Sequence, residues 1–426
     1  MNAWGYEGFG QIGLRLIDFT FYYPLFMSYL WMIGAVHFYL RFEHRFAHIV
    51  APPSLPHYPG VSIIVPMRNE ADNARETIGQ LLRQRYPLFE IIAINDASTD
   101  ATGAILDELL VEHQQLRVLH LAQNQGKAIG LNMATLMSRY EYLVCIDGDA
   151  LLDEYAVGWL IQHFIQGPRV GAITGNPRVR NRSTLLGKIQ VGEFSSIIGL
   201  IKRAQRTYGR IFTVSGVVCA FRKSALHDID YWSADMLTED IDVSWKLQTS
   251  HWDVRYEPRA LCWILMPESL NGLFKQRLRW AMGGLQVLVK YFRSLLAWRE
   301  RRMWGIYIEY TMSVLWALSM GMVFMLWALG KIVELPEQLV VPTLFPGWNG
   351  VLVGTTCLLQ IGVALWLDAP YDRGLGRVYY WMIWYPLLYW MLIMLTTLWA
   401  IGTVLLRKRR ARALWTSPDR GLKPSS

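Results

Sequence analysis

Four long stretches of the chain contain no Asp, Glu, Lys or Arg and consist mainly of apolar residues. They cover residues 19–40, 310–329, 351–367 and 378–406. A helix needs about 20 apolar residues to cross the hydrocarbon core of a bilayer, so this pattern predicts membrane-spanning segments. Tyr and Trp gather near the ends of the stretches, as is typical of a membrane interface. The sequence therefore indicates an integral membrane protein, and the weaker alternative is a set of buried helices in a large soluble protein.

The charges beside these stretches predict an orientation. The first stretch is too long for the apolar core of a signal peptide and lacks a following cleavage site, so we interpret it as a retained anchor. Arg41 and Arg45 follow it, and basic residues favour the cytoplasmic side, which places residues 43–303 in the cytoplasm. Three later crossings would leave the basic residues 407–412 outside, against the same rule. The alternatives are a re-entrant stretch or a hairpin within the last one.

Between the first and second stretches, elements typical of strands and helices alternate. Short β-branched apolar runs predict strands, and apolar residues three or four positions apart predict helices. The predicted strands cover residues 61–65, 90–94, 117–121 and 142–146, and the predicted helices cover residues 71–84, 101–113 and 128–138. Short connections between alternating elements favour an α/β fold with a mainly parallel sheet.

The composition changes this picture little. The 426 residues include 42 basic and 34 acidic side chains, a formal net charge of +8, and only 18% are charged, below the about 25% of soluble domains. The four cysteines are isolated in sequence, with no CxxC pair and no zinc spacing, which predicts a reduced protein without a metal–thiolate site. We expect no nucleic-acid partner.

Carboxylates follow the predicted strands at the edge of the sheet where α/β folds bind ligands. Glu70 follows the first strand, Asp96 the second, and Asp147 and Asp149 the fourth. No glycine-rich dinucleotide fingerprint and no phosphate-binding P-loop motif is present. Because carboxylates repel a diphosphate unless a divalent cation lies between them, the predicted ligand is a nucleotide with bound Mg²⁺ or Mn²⁺.

Each of these residues also has an ordinary structural interpretation. Asp147-Gly148-Asp149 has the D-x-D form of a metal site, but Asp-Gly is also a common turn pair. Asp96 lies where a helix cap or a turn residue is expected. Lys127 begins a predicted helix, where it can serve a phosphate or remain solvated. Position at the end of a buried strand favours the metal site for the D-x-D pair.

Two further motifs follow in the second half of the cytoplasmic block. Thr238-Glu239-Asp240 precedes an amphipathic helix; one carboxylate can act as a general base, or the acids can simply favour the helix N-terminus. Gln276-x-x-Arg279-Trp280 places an amide, a guanidinium and an indole on one helix face, which suits a phosphate and a stacked sugar. The other interpretation is an amphipathic helix on the membrane surface, and both interpretations can hold together. The basic residues that would then contact lipid are Lys275, Arg277, Lys290, Arg293, Arg299, Arg301 and Arg302.

In this order the motifs resemble those of the processive family-2 glycosyltransferases, a group that includes cellulose, chitin and hyaluronan synthases. The resemblance covers residues 61–280 and the flanking membrane segments. It implies a GT-A fold in the cytoplasmic domain and an inverting glycosyl transfer that uses a divalent metal. Stretches at residues 121–128, 144–152, 187–193, 256–263 and 417–421 are similar to the group that makes poly-β-1,6-N-acetyl-D-glucosamine.

The resemblance also implies roles for individual residues. Asp149 is expected to hold the metal and Asp240 to be the base. Asp96, Asp147 and Lys127 are expected to contact the uridine, the nucleotide and the diphosphate. Gln276, Arg279 and Trp280 are expected to hold the donor diphosphate and the acceptor. Glu239 is expected to bind substrate, and Ser215 and Gly216 to shape the acceptor site.

The resemblance further implies partners and a location. The expected partners are UDP-GlcNAc, the growing polysaccharide, the bilayer of a bacterial inner membrane, and a small accessory subunit that brings cyclic di-GMP control. The alternatives are another family-2 synthase of the chitin, hyaluronan or cellulose type and a non-catalytic export scaffold. We predict an anchor at residues 1–42, a catalytic domain at 43–265, interfacial helices at 266–304, a membrane region at 305–406 and a basic tail at 407–426.

Overall fold

The computed structural model describes residues 12–341, 343–344, 347–406 and 413. An eight-stranded mixed sheet with the strand order β3-β2-β1-β4-β7-β6-β8-β5 forms the centre of the domain. The strands are β1 Val61–Met67, β2 Phe89–Asp96, β3 Leu116–Leu121, β4 Tyr142–Ile146, β5 Leu151–Leu152, β6 Val170–Val179, β7 Val218–Arg222 and β8 Asp253–Ile264. Strands β1 to β4 pair in parallel, as predicted, whereas β7 is antiparallel to both β4 and β6.

Helices cover both faces of the parallel half, because its strands are apolar on both sides. Those of the domain are α2 Ala71–Leu81, α3 Thr102–Glu112, α4 Lys127–Met137, α5 Ala156–Gln166, α6 Leu185–Glu193, α7 Ile201–Tyr208, α8 Lys223–Asp228 and α9 Glu239–Thr249. Successive residues of a strand face opposite sides. Ile63 accordingly belongs to the core that includes Ile78 of α2, and Ile64 to the core that includes Leu131 of α4.

Four helices among the described residues are long and apolar enough to cross a membrane, over Arg15–Glu43, Trp298–Leu329, Trp348–Asp368 and Leu388–Leu406. The regular helices are α1 Ile12–Phe38, α10 Leu270–Leu295, α11 Trp304–Leu329, α12 Gly347–Asp368 and α13 Tyr385–Leu406. The stretch 378–406 is thus not one helix. A 3₁₀ segment, Leu375–Met382, precedes α13, and Pro386 lies in the first turn of α13, where a missing N–H costs nothing.

Helix α13 packs against α10 and α11, and Ala413 contacts the sheet domain. Ala400 near the end of α13 packs on Leu285 of α10 and Val314 of α11, and the backbone N–H of Ala413 donates to Ala234 O at 3.0 Å. Ala413 therefore contacts the sheet domain at the loop before α9. The number of crossings after residue 304, and with it the choice between a re-entrant stretch and a hairpin, stays a prediction. Residues 407–412 and 414–426 of the predicted basic tail lie outside the described residues.

A buried ionic network joins the sheet domain to the membrane helices. Arg203 on α7 donates to both carboxylate oxygens of Glu43, at 2.8 and 2.7 Å, and to Asp368 at the end of α12, at 2.8 Å. Arg178 on β6 pairs with Asp368 at 2.6 Å and with Asp372 at 3.1 Å. All five side chains are buried. The network joins Glu43, five residues after α1, and Asp368, the last residue of α12, to strand β6 of the sheet.

Candidate active site

A cavity of about 580 Å³ opens beyond the carboxyl end of β4 and continues between α1, α11 and α13. All of the predicted site residues except Asp96 line it. They are Lys127, Asp147, Asp149, Ser215, Gly216, Glu239, Asp240, Gln276, Arg279 and Trp280. The structure thus brings together residues that are up to 153 positions apart in the chain (Lys127 and Trp280). Their individual roles stay predictions.

Asp96 lies beside the cavity lining and is only 1% exposed. Its carboxylate accepts hydrogen bonds from the backbone N–H groups of Gln125, at 2.8 Å, and Gly126, at 3.0 Å. Gly126 has a φ of +86°, a conformation that favours glycine, and α4 begins at the next residue. In this structure Asp96 therefore holds the turn that delivers Lys127 to the cavity, and its contact with a uridine stays a prediction.

Lys127 connects the two acidic motifs of the cavity. Its ammonium group lies 2.6 Å from Asp147 Oδ1 and 3.2 Å from Glu239 Oε1, and it donates to Gly216 O at 3.2 Å. Burial by itself lowers the pKa of Lys127, but the charges of Asp147 and Glu239 outweigh it and raise that pKa above its ordinary value. A permanent cation therefore stands between the D-x-D pair and the Glu239-Asp240 pair.

Asp240 lies in the first turn of α9 at the cavity wall. Its Oδ1 accepts from its neighbour Ile241 N at 2.9 Å, and its Oδ2 accepts from Gly216 N at 3.3 Å. Burial, followed by the charge of Glu239, raises the pKa of Asp240 to about 6, against the opposing effect of Lys127 and Arg279. A carboxylate that is still ionised at neutral pH but binds a proton readily suits a general base.

This pKa predicts the pH dependence of catalysis. The folded-state pKa of about 6 means that Asp240 is ionised at pH 7 and becomes protonated as the pH falls through 6. Because only the ionised form can accept a proton, the turnover rate should fall about tenfold for each pH unit below 6. Initial rates of nucleotide release between pH 5 and 8 test this, with nucleotide binding measured at each pH as control. A rate that stays flat down to pH 5 contradicts the assignment.

Helix α10 presents its motif to the cavity as predicted. Gln276, Arg279 and Trp280 all line the wall, and the indole of Trp280 packs beside Phe194 with ring centroids 6.4 Å apart. The lipid-contact interpretation is wrong for Arg277, which is 3% exposed and lies 2.8 Å from the buried Glu193. The Arg277 guanidinium also stacks on Trp280 at 4.2 Å, so it fixes the orientation of the indole.

The close approach of α10 to Asp240 depends on a glycine that sequence reasoning missed. A Cβ atom at Gly283 would overlap the side chain of Thr238, the residue before Glu239 and Asp240. The Gly283-Gly284 pair in the middle of a helical pattern could have indicated this contact. Glycine within a helix costs about 1 kcal/mol relative to alanine, so its presence there suggests close packing against a neighbour.

Replacing Gly283 with Ala should therefore reduce turnover at least tenfold, although alanine ordinarily favours a helix. The added methyl group forces Thr238, and with it Asp240, away from its position, and 1 Å of misplacement can cost about 100-fold. Gly305→Ala is the matched control, because nothing lies within 4 Å of a Cβ atom at that helical position. Equal rates for both variants in a sugar-transfer assay would contradict the argument.

The membrane side of the cavity also contains residues that sequence reasoning missed. Lys202 and Gln205 on α7, Glu309 on α11, and Tyr23 and Trp31 on α1 all line it. Burial lowers the pKa of Lys202 to about 7, and the nearby charge of Asp240 acts in the opposite direction. Lys202 follows eight uncharged residues, 194–201, but nothing in that pattern indicates that its ammonium group faces a cavity.

The donor set of the cavity fits a divalent cation. Asp147 and Asp149 both line it at the end of β4, and carboxylate oxygens are the ligands that Mg²⁺ and Mn²⁺ prefer. Within the described ranges, no group of three or more His, Cys, Asp and Glu residues could hold a metal ion on its own. An ion bound here would therefore need further oxygen ligands from a nucleotide or water.

Glycosyl transfer from a nucleotide sugar requires carboxylates that bind a metal, a base with a raised pKa, and cations that stabilise the leaving phosphate. The cavity contains all three kinds of group. The profile of the family described as "Glycosyltransferase like family 2" matches residues 59–283, more than half of the chain. The chain belongs to this glycosyltransferase family. Its GT-A fold and its enzymatic class, expected from the motifs, are thereby confirmed.

Relatives of this glycosyltransferase cover nearly its whole length. A poly-β-1,6-N-acetyl-D-glucosamine synthase from Staphylococcus epidermidis is 37% identical over 96% of this chain and 99% of its own. A synthase of the same name from Staphylococcus aureus (strain MSSA476) is 36% identical with the same coverage. A mannosyltransferase from Pyrobaculum calidifontis, solved in complex with GDP-Man and Mn²⁺, has a TM-score of 0.64 at 20% identity and covers 93% of this chain and 98% of its own. That likeness concerns the fold.

Proposed function

We propose that this glycosyltransferase polymerises N-acetylglucosamine from UDP-GlcNAc into β-1,6-linked poly-N-acetylglucosamine. The observation that carries the proposal is the 36–37% identity, over 96% of the chain, to synthases of that name. The cavity supports it, because the D-x-D pair, the candidate base and the indole of Trp280 line one continuous space. The most direct alternatives, chitin, hyaluronan or cellulose-type synthesis, differ in sugar and linkage.

The residues of the cavity suit a single displacement. Asp240 takes the proton of the 6-hydroxyl of the acceptor's terminal sugar while that oxygen forms a bond to the anomeric carbon of the donor. The bond between that carbon and the diphosphate breaks on the opposite face, so an α-linked donor gives a β linkage and UDP leaves. Lys127 and Arg279, both cations at the cavity wall, face the region where negative charge develops.

Asp149, together with Asp147, would hold the divalent ion. When bound, the ion supplies Lewis-acid stabilisation of the negative charge on the departing diphosphate. Removing divalent ions with a chelator should abolish synthesis, and adding Mg²⁺ or Mn²⁺ should restore it. Asp149→Asn should raise the Mn²⁺ concentration needed for half-maximal synthesis at least tenfold, measured by titration. Undiminished synthesis after chelation contradicts this part of the proposal.

The membrane helices support a role in export. A hydrophilic polymer cannot cross hydrocarbon unless its hydroxyl groups find partners there. The cavity continues from Asp240 to Ser313 and Thr396 of helices α11 and α13. We place the catalytic domain on the cytoplasmic side of a bacterial inner membrane, as the basic residues after the first span favour. An accessory subunit with cyclic di-GMP control stays a prediction.

Analysis of the product tests the function. The purified chain in lipid nanodiscs, given radiolabelled UDP-GlcNAc, should release UDP and make a polymer that a β-1,6-N-acetylglucosaminidase degrades and a chitinase leaves intact. Parallel reactions with UDP-glucose and UDP-glucuronic acid should give no polymer. A chitinase-sensitive product would show another family-2 activity. If no UDP is released even when the predicted small accessory subunit is added, the result would favour a non-catalytic scaffold.

A further inference from the structure

The cavity wall on the membrane side of Asp240 carries two ionisable side chains, the basic Lys202 and the acidic Glu309, that lack ionic partners. Lys202 donates hydrogen bonds to Thr174 Oγ1 at 2.8 Å and Ser215 Oγ at 2.7 Å, and both of these partners are neutral hydroxyls. Glu309 Oε1 accepts from Trp31 Nε1 at 3.2 Å and Gln205 Nε2 at 3.0 Å, which are also neutral. Among the residues that the structure describes, neither charge lies within 4.0 Å of an opposite one.

The two charges belong to one surface. Lys202 and Gln205 are three residues apart on α7 and therefore share a face of that helix, about 4.5 Å apart along its axis. Gln205 in turn binds Glu309, so the row Lys202, Gln205 and Glu309 runs from Ser215 beside the base to α11. Burying a charge without an ionic partner is expensive, and an ionisable residue in a membrane helix usually marks a substrate path.

Aromatic rings complete this surface. Trp31 and Tyr23 line the same part of the cavity, and the Tyr23 hydroxyl donates to Glu309 O at 3.3 Å. Lys202 has three donors, of which two are used, and the second oxygen of Glu309 remains an acceptor. A ligand for this surface must therefore offer an acceptor at one end, donors at the other and an apolar face between.

We propose that Lys202, Gln205, Glu309, Trp31 and Tyr23 form a saccharide subsite that holds an N-acetylhexosamine unit of the product chain on the membrane side of the base. The ammonium group of Lys202 donates to the acetamido carbonyl, Glu309 accepts from sugar hydroxyls, and Trp31 packs on the ring. The residues of this subsite belong to α1, α7 and α11, whereas Trp280 belongs to α10. The identity of the sugar rests on the proposed function, whereas the saccharide class rests on the cavity itself.

Binding of labelled oligosaccharides to the full chain in nanodiscs tests the subsite. The probes are fluorescent tetrasaccharides of β-1,6-linked GlcNAc, β-1,4-linked GlcNAc and β-1,4-linked glucose, measured by anisotropy with UDP present. Glu309→Gln keeps the shape and one acceptor oxygen but replaces the second oxygen with an NH₂ donor, so it should weaken tetrasaccharide binding at least tenfold. Lys202→Met should weaken binding of the N-acetylated probes to a similar extent and of the glucose probe much less.

Thr311→Val is the matched control, because Thr311 lies on α11, donates only to Tyr307 O and does not line the cavity. It should bind every probe within twofold of the unaltered chain, and all variants should bind UDP normally, which excludes misfolding. Unchanged tetrasaccharide binding in both Glu309→Gln and Lys202→Met would overturn the subsite. Binding of only the β-1,4 probes, lost in Glu309→Gln, would uphold the subsite and contradict the proposed product.

Discussion

Asp240→Asn is expected to reduce sugar transfer by about 10²–10⁴-fold, the usual contribution of a general base. Asn is nearly the same size, and its single amide oxygen can still accept one of the two hydrogen bonds that Asp240 accepts, from Gly216 N or Ile241 N. It cannot accept the proton of the attacking hydroxyl, so the chemical step is lost and the pocket is kept. Transfer is measured as labelled polymer formed per minute, and UDP affinity, measured by calorimetry, should stay within about twofold.

Asp235→Asn provides the control for this substitution. Asp235 is exposed, lies five positions before Asp240 and does not line the cavity, so the same chemical change should leave transfer unaltered. Transfer by Asp240→Asn at the rate of the unaltered chain would remove Asp240 from the mechanism. Loss of UDP binding together with transfer would instead indicate that Asp240 supports the structure of the nucleotide site.

The parallel half of the sheet could be predicted because its signal is local. Each of the strands β1, β2 and β4 is buried along nearly its whole length, which gives a mainly apolar run in the sequence. The second half could not, because β7 reaches its place between β4 and β6 through pairings between residues about 75 and 50 positions apart, such as Cys145 with Cys219 and Ala172 with Phe221.

The site shows the same division. Asp147, Asp149 and Asp240 could be predicted because each belongs to a recognisable motif that lies at the end of a strand or the start of a helix. Lys202 and Glu309 could not, since what makes them unusual is the neutral character of their neighbours, and those neighbours come from α1, β6 and the loop before β7.

The connection between catalytic domain and membrane helices depends on charges that no motif indicates. Three arginines, 178, 182 and 203, face three carboxylates, those of Glu43, Asp368 and Asp372, in one buried network. Arg203 is its centre, because it contacts both Glu43, which follows α1, and Asp368, the last residue of α12. Burial lowers the pKa of Arg203, but Glu43 and the other nearby carboxylates outweigh it and keep the group charged.

Arg203→Met should therefore destabilise the protein by about 3–5 kcal/mol, because it leaves Glu43 and Asp368 buried with too few cations. The measurement is the midpoint of thermal unfolding in detergent, together with the yield of monodisperse protein. Arg206→Met, one turn along the same helix, removes a partly exposed pair with Asp253 and should cost about 1 kcal/mol or less. Arg203→Lys keeps the charge but loses the bidentate contact with Glu43. Its midpoint of thermal unfolding should therefore lie between those of Arg203→Met and Arg206→Met. An Arg203→Met protein as stable as the Arg206→Met control would show that the network does not hold the membrane helices against the catalytic domain.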